Sequence, residues 1–272
     1  MAATTFEFDG GALRSAGTSA TLQGASQALP DGAYSTLRTY GGDRVLRLGR
    51  HVERLNESAI LQGSTAPLDE GTVRAAIARA LTATSLAESR IRLTFAPPRL
   101  FVSIEPFTPP PEALYRDGVA CVTVPLRRRN PHAKDTRFTA EAAKAYATLP
   151  VGVHEGLMVA DDGTVLEGLS SNVFVLAGGV LRTEEARVLL GVTRSLVLEV
   201  AQEVVPILSE GVRIGDLPSA TEAFLTSASR GILPVVRIDG TPLGDGRPGP
   251  VTRDLMARFQ ALVDREARSV AS

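Results

Sequence analysis

A lysine amine can lose its proton and attack a carbonyl, whereas an arginine guanidinium stays charged. The chain keeps two lysines, Lys134 and Lys144, against twenty-seven arginines. Lysines retained in such a background are candidates for chemistry that arginine cannot perform. Lys134 stands in RRRNPHAKDTRF with cations close on both sides, and Lys144 stands in AEAAKAYA, an alanine-rich helical run that reads as surface. A second chemical signal is Val165–Val175, VLEGLSSNVFV, where Glu167 ends a strand and is followed by Gly168, small polar residues and Asn172. A carboxylate beside residues that allow close approach suits an electropositive ligand group; the plain alternative is a hairpin with an Asn turn. His51, His132 and His154 lie far apart, so no zinc site is expected. Cys121, the single cysteine, lies in the apolar run VACVTV and reads as a small core residue.

The elements that must position these residues follow from periodicity and turn chemistry. Residues 5–9 alternate as a short strand, 12–30 are small and polar with weak structure, and 33–40 and 44–48 form a hairpin around Gly41-Gly42-Asp43. Val52, Leu55 and Ala59 recur at helical spacing within 49–62, and a second helix starts at Asp69-Glu70 and runs to about 86. Strands are expected over 90–95 and 100–105. Pro106, Pro109, Pro110 and Pro111 then resist both helix and central strand. This divides the chain into an N-terminal α+β domain (1–105), a linker (106–116) and a C-terminal domain (117–272). Beyond the linker the pattern gives a strand at 119–125, a helix at 139–148, strands at 156–160, 164–167, 172–176 and 180–182, and a helix at 193–204. Strands near 222–226 and 234–238 and a helix over 250–267 complete it. With 44% apolar residues a substantial core is possible, and a net charge of −1 gives no footprint for nucleic acid or an anionic membrane. The start lacks a signal-peptide pattern and no apolar run approaches membrane-spanning length, so a cytoplasmic protein is expected.

Taken together, Lys134, the strand pair after it, and Glu167-Gly168 with Asn172-Val173-Phe174 resemble the fold-type IV pyridoxal-phosphate enzymes. These are the class IV aminotransferases: branched-chain aminotransferases, D-amino-acid transaminases and aminodeoxychorismate lyases. GRHVERLNESA (49–59), Gly191-Val192-Thr193-Arg194, EAFLTSASRGILPV (222–235) and Gly249–Arg253 resemble further segments of the family in the same order. The first thirty residues match poorly.

The resemblance implies a two-domain α+β fold, with a smaller N-terminal domain and a larger C-terminal pseudo-barrel domain that binds the cofactor. It implies pyridoxal 5'-phosphate as cofactor and Lys134 as the catalytic lysine that holds it. Glu167 would pair with the pyridine nitrogen. Arg54, which alone reads as a solvent-facing helix arginine, would bind the phosphate. Val192 and Thr193, at a helix N-terminus, with Ser227 and Ser229, would supply further donors. Asn172 belongs to the same cofactor set.

On the substrate side the resemblance points three ways. Tyr34 is similar to the D-amino-acid branch, Ser35-Thr36 replaces the frequent Phe-Glu pair as in the lyase branch, and Arg92 sits where branched-chain enzymes carry an arginine. Thr139 stands where some members have a Tyr. Arg90, Arg92 and Arg230 are candidates for a substrate carboxylate. The leading expectation is transfer of an amino group from a branched-chain-like amino acid to a 2-oxo acid by a homodimer, because 249–253 resembles the transaminase branches. The alternatives are aminodeoxychorismate lyase, which releases pyruvate, D-amino-acid transamination, and a non-catalytic relative that keeps the fold.

Overall fold

The computed structural model describes residues 2–271, and the chain divides into two compact units. The first comprises residues as far as Thr108, together with 133–140 and the chain from Val263 on; the second comprises 109–132 and 141–262. Lys134 and the C-terminal end therefore pack with the N-terminal elements rather than with the sequence around them.

The first unit contains β1 (Ala3–Asp9), β2 (Ala12–Ser19), α1 (Leu22–Gln27), β3 (Ala33–Tyr40), β4 (Arg44–Leu46), α2 (Leu48–Leu61), α3 (Glu70–Thr84), β5 (Ser89–Ala96) and β6 (Arg99–Pro106). The strands form an antiparallel sheet in the order β4-β3-β5-β6-β1-β2, extended beyond β4 by a C-terminal strand, Ala267–Ser269. Alternation fixes its two faces. Ala33, Leu37, Ile91, Leu93, Val102 and Ile104 join Val52, Leu55 and Ala59 of α2 and Val73, Ala76 and Ile77 of α3 in one buried cluster. The opposite positions of the paired strands carry Tyr34, Thr36, Arg38, Arg90, Arg92 and Thr94. Helix α3 begins where Asp69 accepts from the Thr72 amide at 2.8 Å, an N-cap.

Several features differ from the sequence expectation, one of them a helix at Glu112–Asp117 inside the stretch read as a linker. Residues 12–30, expected to be weakly structured, form β2 and α1. β2 is an edge strand of small, largely exposed residues that borrows its hydrogen bonds from β1, a pairing invisible to hydrophobic periodicity. Thr21 caps α1 by accepting from the Gly24 amide at 3.1 Å. The C-terminal strand after the last helix was likewise not expected.

The second unit contains α4 (Glu112–Asp117), β7 (Val119–Val124), most of α5 (Arg137–Ala147), β8 (Val153–Val159), β9 (Val165–Gly168), β10 (Asn172–Ala177), β11 (Val180–Arg182), α6 (Val192–Ala201), β12 (Ile207–Leu208), β13 (Ala220–Ser227), β14 (Gly231–Ile238), β15 (Thr241–Pro242) and most of α7 (Pro250–Glu266). The proline run ends where α4 begins, because Pro111 fits a helix start. Gly118 then turns the chain at φ +76, where a Cβ would lie 2.3 Å from Val236 Cγ1. Strands β10, β13, β14, β7, β8 and β9 pair in succession, and β9 pairs back to β10 at Glu167 and Asn172. This closes a six-stranded barrel, with β14–β7 and β7–β8 parallel and the other four pairings antiparallel. Phe174 and Phe224, directly opposite each other, stack with centroids 4.9 Å apart. The closing pair therefore carries two of the candidate cofactor residues.

Leu55 is fully buried in the first unit's core whereas Ile60, on the same helix, is 63% exposed. Leu55→Ala should destabilise the protein by about 2–5 kcal/mol in urea unfolding, and Ile60→Ala by less than about 0.5 kcal/mol.

Candidate active site

In the first unit the backbone of Lys134 is held from two sides. Its carbonyl accepts from the Tyr34 amide at 2.9 Å, and its amide donates to Ser58 Oγ at 3.0 Å. Thr136 continues the contact: its amide donates to the Gly32 carbonyl at 3.1 Å and its hydroxyl accepts from the Gly32 amide at 3.0 Å. Gly32 has no room for a side chain, since a Cβ there would lie 2.4 Å from the Phe95 carbonyl oxygen. A loop lysine thus acquires the rigidity of the β3 end and of α2. Its Nζ lies 4.7 Å from the centre of the Tyr34 ring, within cation–π reach.

Helix α2 presents His51, Arg54 and Ser58 at spacings of three and four, hence along one face. All three are buried. Arg54 Nη2 donates to Ser35 Oγ at 2.8 Å, and His51 Nδ1 lies 2.9 Å from the same oxygen. Burial, followed by the charges of Arg54 and Lys134, holds the His51 pKa well below its ordinary 6.5. Of the substrate-side candidates, Arg92 is buried and donates to the Leu22 carbonyl at 3.2 Å and to Ser26 Oγ at 2.7 Å. Its Nε donates to Thr36 Oγ1 at 3.3 Å, and its guanidinium lies 4.9 Å from the Tyr34 ring centre. Arg90 pairs with Glu105 at 3.3 Å. Thr139 bonds the Thr136 carbonyl at 2.5 Å, within its own helical turn.

In the second unit the centre is Glu167, on β9. Its Oε1 accepts from Arg128 Nε at 2.8 Å and from the Leu189 amide at 3.2 Å, and its Oε2 lies 3.3 Å from Asn172 Nδ2. The side chains of Arg128 and Glu167 are 5% and 3% exposed, so this is a buried ion pair. Asn172 also donates to the Leu189 carbonyl at 2.7 Å, which fixes the loop entering α6. Gly191 caps α6 with no side-chain bond, and a Cβ there would lie 2.3 Å from Asn172 Oδ1. Val192 and Thr193 open the helix, where its dipole favours an anion.

A neighbouring cluster surrounds Glu155, which is completely buried. Both terminal nitrogens of Arg230 donate to its Oε2 at 3.1 Å, Ser170 and Ser171 donate at 3.1 and 3.0 Å, and Tyr146 bonds Oε1. Arg230 Nε donates to Ser227 Oγ at 2.9 Å. Arg230, a candidate for a substrate carboxylate, is thus engaged with a carboxylate of its own chain. Ser229 lies in the turn between β13 and β14, partly exposed.

Sequence reasoning did not single out Arg128, Ser58 or Glu155. Arg128 sits in a run of three arginines that reads as a short basic patch, and nothing in the run marks the buried one. Ser58 had a signal, its place one turn after Arg54 on the same helical face.

Residues 32–238 match the family model for amino-transferase class IV. The chain is 26% identical over 266 residues to a branched-chain-amino-acid aminotransferase of Pseudomonas aeruginosa, covering 88% of this chain and 86% of that one. It is 26% identical over 258 residues to a D-alanine aminotransferase of Bacillus licheniformis, covering 88% and 90%. Among solved structures, a branched-chain aminotransferase of Thermoproteus uzoniensis superposes with a TM-score of 0.82 at 24% identity, covering 99% of this chain and all of that one. The fold is therefore the two-part α+β architecture of those transaminases. The chain belongs to the class IV amino-transferase family, whose activity class is amino-group transfer.

Two outcomes check this geometry. Arg128→Met removes the guanidinium that pairs with the buried Glu167 carboxylate and should destabilise the protein by about 3–5 kcal/mol, read as a lower urea midpoint. His51 stays neutral when folded but titrates near 6.5 when unfolded, so the unfolded state binds the extra proton as pH falls. Its contribution to stability is complete above 6.5 and declines below it. The wild-type urea midpoint should fall more steeply between pH 7.5 and 5 than that of His51→Gln.

Proposed function

We propose that the chain is a pyridoxal-phosphate-dependent transaminase that moves an amino group from an aliphatic, branched-chain-like amino acid to a 2-oxo acid such as 2-oxoglutarate. The observation that carries the reading is Lys134: a loop lysine with both backbone polar groups tied, its amine over an aromatic ring, and its charge, with that of the buried Arg54, acting on His51. The donor set fits the cofactor by chemistry. A lysine suits its aldehyde, a buried carboxylate its ring nitrogen, and a buried guanidinium and a helix N-terminus its phosphate.

When bound, the cofactor supplies an electron sink for the charge that develops at the substrate Cα. Lys134 would hold it through Nζ and would be the group that takes and returns the proton of that carbon. Glu167, held by Arg128, Asn172 and the Leu189 amide, would keep the ring nitrogen protonated. Arg54, Val192, Thr193, Ser227 and Ser229 would supply donors to the phosphate. Tyr34, Thr36 and Arg92 line the substrate side, with Arg92 directed by its bonds to Leu22, Ser26 and Thr36. The reading takes the protein as a cytoplasmic homodimer.

The purified protein should exchange amino groups between leucine and 2-oxoglutarate, and Lys134→Ala should abolish the exchange while Lys144→Ala leaves it within about twofold. Borohydride reduction and peptide mapping should find the pyridoxyl group on Lys134. Label on Lys144 alone, or pyruvate release from aminodeoxychorismate with no amino-acid exchange, would overturn the reading.

A further inference from the structure

Ser35, on β3, is completely buried and is met from α2 by two groups one turn apart. Arg54 Nη2 approaches its Oγ at 2.8 Å and His51 Nδ1 at 2.9 Å. A hydroxyl has one proton and two lone pairs, and a guanidinium only donates. Arg54 therefore occupies a lone pair of Ser35, and the hydroxyl proton is left for His51 Nδ1. That requires a neutral ring with its own proton on Nε2. The reverse sense, Nδ1–H onto Ser35, would strand the buried hydroxyl proton, since no other bond to Ser35 Oγ occurs among the described residues. The burial and neighbouring charges that keep His51 unprotonated agree with the first sense. The chain of donors therefore runs one way, from Arg54 to Ser35 to His51.

We infer that Ser35 is a positioning residue for the cofactor phosphate, acting with His51 to hold the Arg54 guanidinium in the orientation in which it meets the anion. The inference rests on the proposed reading of Arg54 as a phosphate ligand. The long arginine side chain loses rotamer freedom when it grips an anion, and a fork already fixed loses less. The identity of the strut matters too. A carboxylate at this position would orient Arg54 but also offset its charge; a hydroxyl orients it and leaves the charge for the phosphate. Ser35 thus does for Arg54 what a metal ligand's hydrogen-bond partner does for the ligand, fixing direction rather than supplying contact.

The test compares two aldehydes that differ only in the phosphate. The cofactor-free full-length protein is titrated with pyridoxal 5'-phosphate and, in parallel, with pyridoxal. Ser35→Ala should weaken pyridoxal phosphate binding by about tenfold or more, as expected for losing the support of a charged hydrogen bond, with pyridoxal binding changed by less than about threefold. Ser35→Thr, which keeps the hydroxyl, should restore the preference for the phosphorylated form. His51→Phe should show the same selective loss to a smaller extent, and carries the test if Ser35→Ala does not fold. Equal losses for both aldehydes in Ser35→Ala and His51→Phe, or no loss for either, would overturn the inference and leave Ser35 a packing residue. Arg54→Ala separates the two layers. If it abolishes the phosphate preference while Ser35→Ala and His51→Phe retain it, only the positioning role falls. If Arg54→Ala retains the preference, the phosphate reading falls and the positioning role with it.

Discussion

Tyr34 donates its amide to the carbonyl of Lys134, and Lys134 donates its own amide to Ser58. A lysine on a loop has little positional definition, because both the backbone and four side-chain torsions are soft. Tying both polar groups of its peptide to β3 and α2 removes the backbone share of that freedom. The tie also explains why residues 133–140 belong to the first unit although the chain on either side belongs to the second. The strand that holds Lys134 carries Tyr34 and Ser35 on opposite faces, and the helix that holds it carries Arg54 one turn before Ser58. One pair of hydrogen bonds therefore ties the lysine to the strand that carries Tyr34 and Ser35 and to the helix that carries Arg54, with its amine 4.7 Å from the centre of the Tyr34 ring.

The second constraint is the cost of buried charge. Arg54, Arg92, Arg128, Glu155 and Glu167 are all nearly inaccessible. A charge removed from water must be paired or richly hydrogen-bonded. Glu167 accepts from a guanidinium and a backbone amide and lies beside an amide side chain, whereas Glu155 is ringed by two serines, a tyrosine and an arginine. The two carboxylates are thus solved differently. The partners of Glu155 close it within the protein, a structural solution that also fixes Ser227 through Arg230 Nε. The partners of Glu167 include Asn172 and Leu189, which continue into the N-terminus of α6, so the same bonds that stabilise the carboxylate shape the loop beside it.

What was legible in the sequence follows from which interactions are local. The spacing of Val52, Leu55 and Ala59 announces α2 because a helix buries one face, and Asp69 announces α3 because its cap is three residues away. The family membership was legible through Lys134, Glu167-Gly168, Asn172 and the ordered segments around them. β2 and the strand at 267–269 were not, because each depends on a partner strand far from it in sequence and neither has an apolar face to mark it. The supporting contacts of the candidate site were hidden for the same reason. Arg128 meets Glu167 across 39 positions and Ser58 meets Lys134 across 76; nothing local marks Arg128 within its arginine run, and the place of Ser58 one turn after Arg54 gives its helical face but not its partner. Motifs name the groups that would touch a cofactor; the groups that aim them are set by tertiary register.

That division has a physical consequence for how such a site changes. A residue that touches a cofactor is constrained by the cofactor's own chemistry, so its type is narrow: an amine for an aldehyde, a cation for a phosphate. A residue that only aims another is constrained by the number of protons and lone pairs it must balance, and several side chains meet the same balance. Ser35 illustrates the latitude. It needs one acceptor site for Arg54 and one proton for His51, which a hydroxyl supplies at a fully buried sheet position. Changing it alters how firmly Arg54 is held without altering what Arg54 is. Positions of that kind tune affinity while the reacting groups stay fixed, and they lie where strand β3 turns its buried face to helix α2.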